Sequence, residues 1–171
     1  MSKSTRLFLV GPMGAGKTTV GRRLAKSLHR KFLDADHELE RRTGVKIPVI
    51  FEIEGEAGFR AREKRLIAEL TELDDVVLAT GGGAILDPES RQTLAGRGFV
   101  VYLHAPIAKL LARTRSDTNR PLLRTADPET RMRELIAQRE PLYREVADLI
   151  IDTGALTLGD IVKTILNEAA A

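Results

Sequence analysis

The chain alternates between short apolar runs and longer segments in which apolar residues recur every three or four positions. The first pattern is typical of buried strands, and the second places apolar side chains on one face of a helix. The predicted strands are Leu7 to Val10, Lys31 to Asp34, Val76 to Thr80, Phe99 to Leu103 and Leu149 to Ile151. The predicted helices lie near 17–28, 60–73, 88–95, 106–115, 128–146 and 157–168. This order predicts an α/β fold with parallel strands, right-handed crossovers and helices on both faces of the sheet.

Two segments interrupt the alternation. Residues 37–59 begin like a helix and then contain Gly44, Pro48, Gly55 and Gly58, whereas residues 116–127 are polar around a proline. Long irregular insertions in a compact α/β domain usually form lids or binding loops. Ligands of such folds bind beyond the carboxyl ends of the strands. The residues that follow each strand are therefore the first candidates for chemistry.

Composition narrows the class of protein. The chain has 171 residues, 43% of them hydrophobic and 30% charged, which is typical of one globular domain. No apolar run approaches the roughly 20 residues of a membrane span, and no signal peptide is recognisable. The chain has no cysteine, which excludes disulfides and thiolate metal sites. We expect a cytoplasmic monomer that binds neither membranes nor nucleic acid.

The nucleic-acid alternative would rest on a basic stretch, Arg22, Arg23, Lys26, Arg30 and Lys31. The net charge of the chain is only +3. No aromatic residues are interleaved with these cations, as they are in many single-strand binding surfaces. A solvated helix face is therefore the favoured interpretation.

A glycine-rich motif lies between the first predicted strand and the first predicted helix. Residues 11–18 read Gly-Pro-Met-Gly-Ala-Gly-Lys-Thr and fit the pattern G-x-x-x-x-G-K-[ST]. Its glycines let backbone N–H groups face phosphate oxygens, and the helix N-terminus adds partial positive charge. Lys17 can reach the β- and γ-phosphates, and the Thr18 hydroxyl can ligate Mg²⁺. The predicted phosphate-binding residues are Gly14, Ala15, Gly16, Lys17, Thr18 and Thr19; a turn that binds nothing is the disfavoured alternative.

Two carboxylates follow the second strand. Asp34 ends the strand, and the third strand ends without an acidic residue, so Asp34 is the candidate to hold Mg²⁺ directly or through water. Asp36 is then available to accept hydrogen bonds from a substrate hydroxyl and to take its proton. The alternative is that Asp36 caps a helix over 37–43.

Further candidates follow the third strand and begin the next predicted helix. Gly81, Gly82 and Gly83 offer a backbone that a ligand can approach closely, or else form a loose turn. Arg60 and Glu63 are three residues apart near a predicted helix start, so their side chains can pair. A surface ion pair without function is the alternative.

Two more arginines stand beside prolines. Arg120 precedes Pro121 in a possible lid over about 114–127, where its cation could close over a transferring phosphoryl group. Arg139 lies two residues before Pro141, which should kink or end the helix that carries both. Such helix breaks often serve a site.

Six segments in order resemble the shikimate kinase family, over nearly the whole chain. They are GPMGAGKTTVGRRLA (11–25), FLDAD (32–36), IFEIEGEAGFRAREK (50–64), GGG (81–83), NRPLL (119–123) and REPLYREVAD (139–148). The resemblance implies a single kinase domain over 1–171 with the three-layer fold of P-loop nucleoside monophosphate kinases. That fold has a five-stranded parallel sheet in the order 2-3-1-4-5, a substrate-binding segment (about 35–62) and a lid (about 114–127).

The resemblance also implies the reaction. Members of that family convert shikimate and ATP to shikimate 3-phosphate and ADP, with Mg²⁺, on the route to chorismate and aromatic amino acids. Asp36 would hold the substrate hydroxyls, and Arg60 and Arg139 would grip the carboxylate. The backbone of residues 81–83 would line the same pocket.

Roles on the nucleotide side are implied in the same way. Arg120 would close with the lid onto the phosphates, and Lys17 would stabilise the transferred group. Arg113 would flank the adenine. Thr18 and Asp34 would position Mg²⁺.

Two alternatives remain open at this point. Another small-metabolite kinase of the same fold, for gluconate or a nucleoside monophosphate, would share the phosphate loop and lid. It would not need Arg60 and Arg139 as a carboxylate clamp, and a monophosphate kinase would need several arginines for a second phosphate. The other alternative is a non-catalytic ATP-binding module, against which Asp36 and Arg120 argue.

Overall fold

The computed structural model describes residues 5–115 and 121–171. Its centre is a five-stranded parallel sheet in the order β2-β3-β1-β4-β5. The strands are β1 (Arg6–Val10), β2 (Lys31–Asp34), β3 (Val76–Ala79), β4 (Phe99–His104) and β5 (Leu149–Asp152). All five predicted strands are present, and the implied strand order is confirmed.

Helices cover both faces of this sheet. They are α1 (Lys17–Leu28), α2 (Ala35–Thr43), α3 (Ile47–Leu70), α4 (Pro88–Arg97), α5 (Ile107–Thr114), α6 (Pro128–Val146) and α7 (Leu158–Ala170). Successive side chains of a strand point to opposite faces. Phe8 accordingly packs in one buried cluster with residues of α3 and α4, while Leu9 packs in a second cluster with residues of α1 and α7. The predicted three-layer arrangement is confirmed.

The segment between β2 and β3 differs from the prediction. A helix was expected near 60–73. In the structure α3 already begins at Ile47, and a kink at Gly55 (φ 73°, ψ 179°) interrupts its helical backbone. Arg60 therefore lies in the second turn after this interruption, in the part of α3 that continues to Leu70. Burial explains the extension, because Ile50 and Phe59 both pack in the core on either side of the interruption.

Helix α6 runs from Pro128 to Val146, as the predicted helix over 128–146 does. Pro141 was expected to kink or end this helix, and it does not end it. Tertiary contacts outweigh the lost backbone hydrogen bond, because Arg139 and Tyr143 are buried on either side of the proline. Within residues 5–115 and 121–171, no helix is long and apolar enough to cross a membrane.

Candidate active site

A cleft opens beyond the carboxyl ends of β1, β2 and β3. Its main cavity has a volume of about 700 Å³ and is bordered by the phosphate loop (residues 11–18). A narrower pocket of about 50 Å³ adjoins it and reaches between α3, α6 and the glycine loop (residues 81–83). Residues that line both are Met13, Asp36, Gly81 and Gly82. Most of the candidate residues that the structure describes therefore line one two-part site.

The phosphate loop has the backbone that the motif requires. Gly11, Gly14 and Gly16 have φ angles of 147°, 82° and 98°, in the region that disfavours other residues. A Cβ atom on Gly11 would lie 2.1 Å from the Leu103 carbonyl oxygen, whereas one on Gly16 would meet nothing within 4 Å. The loop thus starts tight against β4 and ends beside open space at the N-terminus of α1.

Lys17 reaches back over this loop. Its ammonium group donates hydrogen bonds to the carbonyl oxygens of Gly11 (2.5 Å) and Pro12 (2.9 Å). No acidic residue lies in the first turn of α1, and the capping residue Gly16 provides no side-chain acceptor. The cation and the helix N-terminus therefore combine at one end of the cleft, which favours a bound anion.

The outer side of the loop is tied to the sheet. Thr153 follows β5, and its hydroxyl contacts the carbonyl oxygens of Ala15 (2.8 Å) and His104 (3.1 Å). Arg113 donates to the carbonyl oxygen of Gly14 at 2.9 Å and lines the main cavity. Its expected place beside adenine stays a prediction, but the structure puts Arg113 at the phosphate-loop end of the cleft.

Thr18 and Asp34 meet where a magnesium ion was expected. The Thr18 hydroxyl donates to Oδ2 of Asp34 across 2.9 Å, and both side chains line the main cavity. Hydroxyl and carboxylate oxygens suit Mg²⁺, which usually keeps several waters and phosphate oxygens as its other ligands. In the described ranges no cluster of three acidic or histidine side chains offers a complete protein cage. The donor set therefore fits a metal shared with a nucleotide.

Asp36 does not cap a helix, which was the alternative to a role in binding substrate. Asp34 caps α2, accepting from the backbone N–H of His37 at 3.1 Å, so Asp36 lies within the first turn. Oδ1 of Asp36 lies 2.7 Å from the position a Cβ atom would take on Gly81. The carboxylate therefore faces the glycine loop at the junction of the two cavities.

The glycine loop is closely packed, unlike a loose turn. A Cβ atom on Gly83 would lie 2.3 Å from Nη2 of Arg60, and one on Gly81 would lie 2.9 Å from Oε2 of Glu63. The Gly82 carbonyl accepts a hydrogen bond from the Tyr143 hydroxyl at 2.5 Å. A larger side chain at Gly81 or Gly83 would displace the neighbouring side chains. The glycines therefore let Asp36, Arg60 and Glu63 approach a bare backbone.

Arg60 and Glu63 form a mostly buried pair. Nη1 of Arg60 donates to Oε1 of Glu63 across 2.8 Å, and Glu63 is only 5% exposed. Burial raises the pKa of the Glu63 carboxyl, and the neighbouring Arg60 guanidinium opposes that rise. The alternative of a solvent-exposed ion pair is wrong.

Arg139 enters the narrow pocket from α6. It is 3% exposed, and its Nη1 lies 3.4 Å from the Cβ position on Gly82. Burial lowers the pKa of the guanidinium, although arginine stays charged in proteins. Among the described residues, Nε of Arg60, Nε of Arg139 and Oε2 of Glu63 are buried without a hydrogen-bond partner. Such a group of unsatisfied atoms around one pocket suggests a site prepared for a polar ligand.

One predicted site residue lies outside the described part of the chain, and several residues that line the site were not predicted. Arg120 lies outside the described residues, but Pro121 and Leu122 line the narrow pocket. Sequence reasoning missed the apolar lining residues Met13, Phe51 and Phe59, and also Tyr143 and Thr153. Tyr143 had one available signal, because it lies four residues after Arg139 and so on the same face of a helix.

Comparisons with known proteins agree with this geometry. The family model described as shikimate kinase matches residues 13–170. A shikimate kinase of Halorhodospira halophila is 61% identical over 149 residues, covering 87% of this chain and 84% of that protein. One of Bordetella pertussis is 58% identical over 165 residues, covering 96% of this chain and 78% of that protein.

A solved structure agrees with the fold in detail. The shikimate kinase of Acinetobacter baumannii, determined in complex with shikimate, superposes with a TM-score of 0.93 at 54% identity. The match covers 95% of this chain and 91% of that one. The resemblance seen in the sequence motifs is thereby confirmed: the chain belongs to the shikimate kinase family.

Proposed function

We propose that the protein transfers the γ-phosphoryl group of ATP to the 3-hydroxyl of shikimate and releases ADP. Enzymes of the family to which the chain belongs are ATP:shikimate 3-phosphotransferases. The observation that carries the proposal is the junction of the two cavities, where Asp36 stands between the phosphate loop and two arginines, the half-buried Arg60 and the buried Arg139. The main cavity accepts ATP, and the narrow pocket accepts the ring of shikimate.

On the substrate side, Arg60 and Arg139 bind the carboxylate of shikimate. Their guanidinium groups flank one pocket, and each retains a buried Nε without a partner. A guanidinium can bind a carboxylate through two parallel hydrogen bonds. A nucleoside monophosphate has no carboxylate, so its kinase has no use for this arrangement. Gluconate has a carboxylate but no ring, and the comparison of acceptors below distinguishes it from shikimate.

Asp36 accepts a hydrogen bond from the 3-hydroxyl and orients its oxygen toward the γ-phosphorus. In the transfer, a bond forms between that oxygen and the γ-phosphorus, and the bond from the γ-phosphorus to the β–γ bridging oxygen breaks. The hydroxyl proton passes to the Asp36 carboxylate, and the electron pair leaves on ADP. Phosphoryl transfer depends mainly on such positioning and on charge neutralisation.

Lys17 and the N-terminus of α1 neutralise the charge on the transferred group. Lys17 exchanges its hydrogen bonds to the loop carbonyls for hydrogen bonds to phosphate oxygens. Thr18 and Asp34 would hold Mg²⁺, which would neutralise part of the charge on the phosphates. Arg120 adds a further cation from the lid, and Arg113 flanks the adenine.

The remaining parts of the proposal concern the state of the protein. It works in the cytoplasm as a monomer, with one kinase domain over residues 1–171 and no nucleic-acid partner. The substrate-binding segment and the lid close over the reactants and keep water from the γ-phosphate.

The first test compares acceptors. ADP release is measured with ATP and Mg²⁺ in the presence of shikimate, gluconate, AMP or no acceptor. We expect strong stimulation by shikimate alone. Stimulation by another acceptor would contradict the role of the narrow pocket, and ATP binding without any stimulation would favour a non-catalytic module.

A second test addresses Asp36. The Asp36→Asn variant should lose turnover while its affinity for ATP stays nearly unchanged, since the carboxylate faces the glycine loop. Asp160→Asn is the matched control, because it removes the same charge from the first turn of α7. A parallel loss of ATP affinity in Asp36→Asn would move Asp36 to the nucleotide site or to the fold.

A further inference from the structure

Tyr143 is a buried tyrosine between two parts of the substrate pocket. It is 1% exposed, and its hydroxyl donates to the Gly82 carbonyl oxygen at 2.5 Å. Arg139 lies one helical turn earlier in α6, and its guanidinium is close enough to oppose the rise that burial causes in the pKa of the Tyr143 hydroxyl. A tyrosine hydroxyl can donate one hydrogen bond and accept others, and arginine only donates. The hydroxyl therefore binds the glycine loop and lies beside the arginine.

The ring of Tyr143 is held in place by its neighbours. It stacks on Tyr102 of β4 with ring centroids 4.9 Å apart and an interplanar angle of 26°. The Tyr102 hydroxyl turns away to the Glu140 carboxylate. Burial raises the pKa of Tyr143 to about 12, so its hydroxyl keeps the proton that it donates to Gly82 at neutral pH.

Gly82 and Arg139 both face the site. Gly82 lines the main cavity and the narrow pocket, and the Nη1 atom of Arg139 lies 3.4 Å from its Cβ position. Rotation of the Gly82 peptide would alter the surface offered to the ring and the space beside Arg139. We propose that Tyr143 is a positioning residue for shikimate binding, whose hydroxyl fixes Arg139 and the Gly82 carbonyl relative to each other. This inference rests on the proposed function of the same site.

The test compares two tyrosines that lose the same atom. Tyr143→Phe should raise KM for shikimate by about two- to tenfold, the effect of losing the hydrogen bond that holds the Gly82 carbonyl beside Arg139. KM for ATP should change less than about twofold, because the hydroxyl does not contact the phosphate loop. Tyr102→Phe is the matched control, since it removes the hydroxyl from the other ring of the stack and should leave both KM values unchanged.

Thermal denaturation separates positioning from folding. If Tyr143→Phe and Tyr102→Phe lower the melting temperature alike and only the first raises KM for shikimate, the proposal holds. Equal KM values in both variants, or a parallel rise of KM for ATP, would overturn it. Failure of the wild-type protein to phosphorylate shikimate would instead overturn the proposed function.

A second variant tests whether the effect passes through Arg139. Tyr143→Phe is combined with Arg139→Lys, which keeps a cation but loses the planar guanidinium. If Tyr143 positions Arg139, the double variant should raise KM for shikimate by less than the product of the two single effects. Independent, multiplying effects would show that Tyr143 does not act through the arginine.

Discussion

The Thr18 hydroxyl and Oδ2 of Asp34 are hydrogen-bonded across 2.9 Å, while Oδ1 of the same carboxylate caps α2. One side chain thus joins the phosphate loop to the helix that carries Asp36. The two functions of Asp34 can be separated, because asparagine caps helices as well as aspartate does but lacks its charge.

We therefore expect Asp34→Asn to raise the Mg²⁺ concentration for half-maximal rate by about 10- to 100-fold, with little change in melting temperature. Asp34→Ala should lose the same affinity and also about 1 kcal/mol of stability, because it removes the cap. The measurements are Mg²⁺ titrations of activity and thermal denaturation. An unchanged Mg²⁺ requirement in Asp34→Asn would remove Asp34 from the metal site.

Arg139→Ala should weaken shikimate binding more than catalysis. Loss of hydrogen bonds between a guanidinium and a carboxylate predicts a rise in KM for shikimate of about 10- to 100-fold, with kcat retained within a few-fold. Arg144→Ala on the same helix is the control, since Arg144 is exposed and pairs with Glu140. A large loss of kcat at saturating shikimate with unchanged affinity would contradict the carboxylate role.

The link between α2 and α3 should make stability depend on acid pH. Hydrogen bonding from Arg41, with a further contribution from Arg42, lowers the pKa of Glu38 from 4.5 to about 2, and Arg42 also pairs with Glu69 of α3. The unfolded chain therefore binds more protons than the folded one between these pH values. The stabilisation is present above about pH 4.5 and is lost as the pH falls toward 2.

This prediction is checked by the melting temperatures of the wild type and Glu38→Gln from pH 7 to pH 2.5. The wild type should be more stable at neutral pH, and the difference should shrink below pH 4.5. Glu52→Gln, at an exposed position of α3, controls for the loss of one carboxylate. A difference that stays constant with pH would contradict the assigned cause.

Two glycines of the phosphate loop should respond differently to alanine. Gly11→Ala places a methyl group against the Leu103 carbonyl and should lower the free energy of unfolding by at least about 3 kcal/mol. Gly16→Ala meets no neighbour, so only backbone strain of about 1–3 kcal/mol is expected, together with weaker ATP binding. Denaturant unfolding and calorimetric ATP titration measure the two effects. Equal destabilisation would show that the close approach to β4 can relax.

Much of the architecture could be predicted because periodicity and burial coincide. Val20 and Leu24 recur at helical spacing and are buried in α1, and the apolar runs became strands with ends shifted by at most about one residue. The region from α2 to α3 could not be predicted in this way. Gly44 terminates α2 in a left-handed conformation, and Pro48 occupies the first turn of α3, so residues that resemble helix breakers serve as ordinary helix ends.

The residues of the site could likewise be predicted from the sequence only in part. Asp36, Arg60 and Arg139 were candidates from their residue types and neighbours, and the fold brings them to one pocket. The partner of Tyr143 lies 61 residues away in the glycine loop, and no local pattern predicts that hydrogen bond. Pairings of this kind depend on the crossing of α6 over the sheet, which only the tertiary structure specifies.

Thr153, which follows β5, and Arg113 of α5 already form hydrogen bonds with the carbonyl oxygens of Ala15 and Gly14 in the phosphate loop. A nucleotide that arrives in the cleft therefore meets a backbone whose conformation is fixed before contact. Its binding free energy does not have to order a mobile loop, and the inward N–H groups are available in their final orientation. Residues remote from the reacting atoms thus contribute to preorganisation of the site.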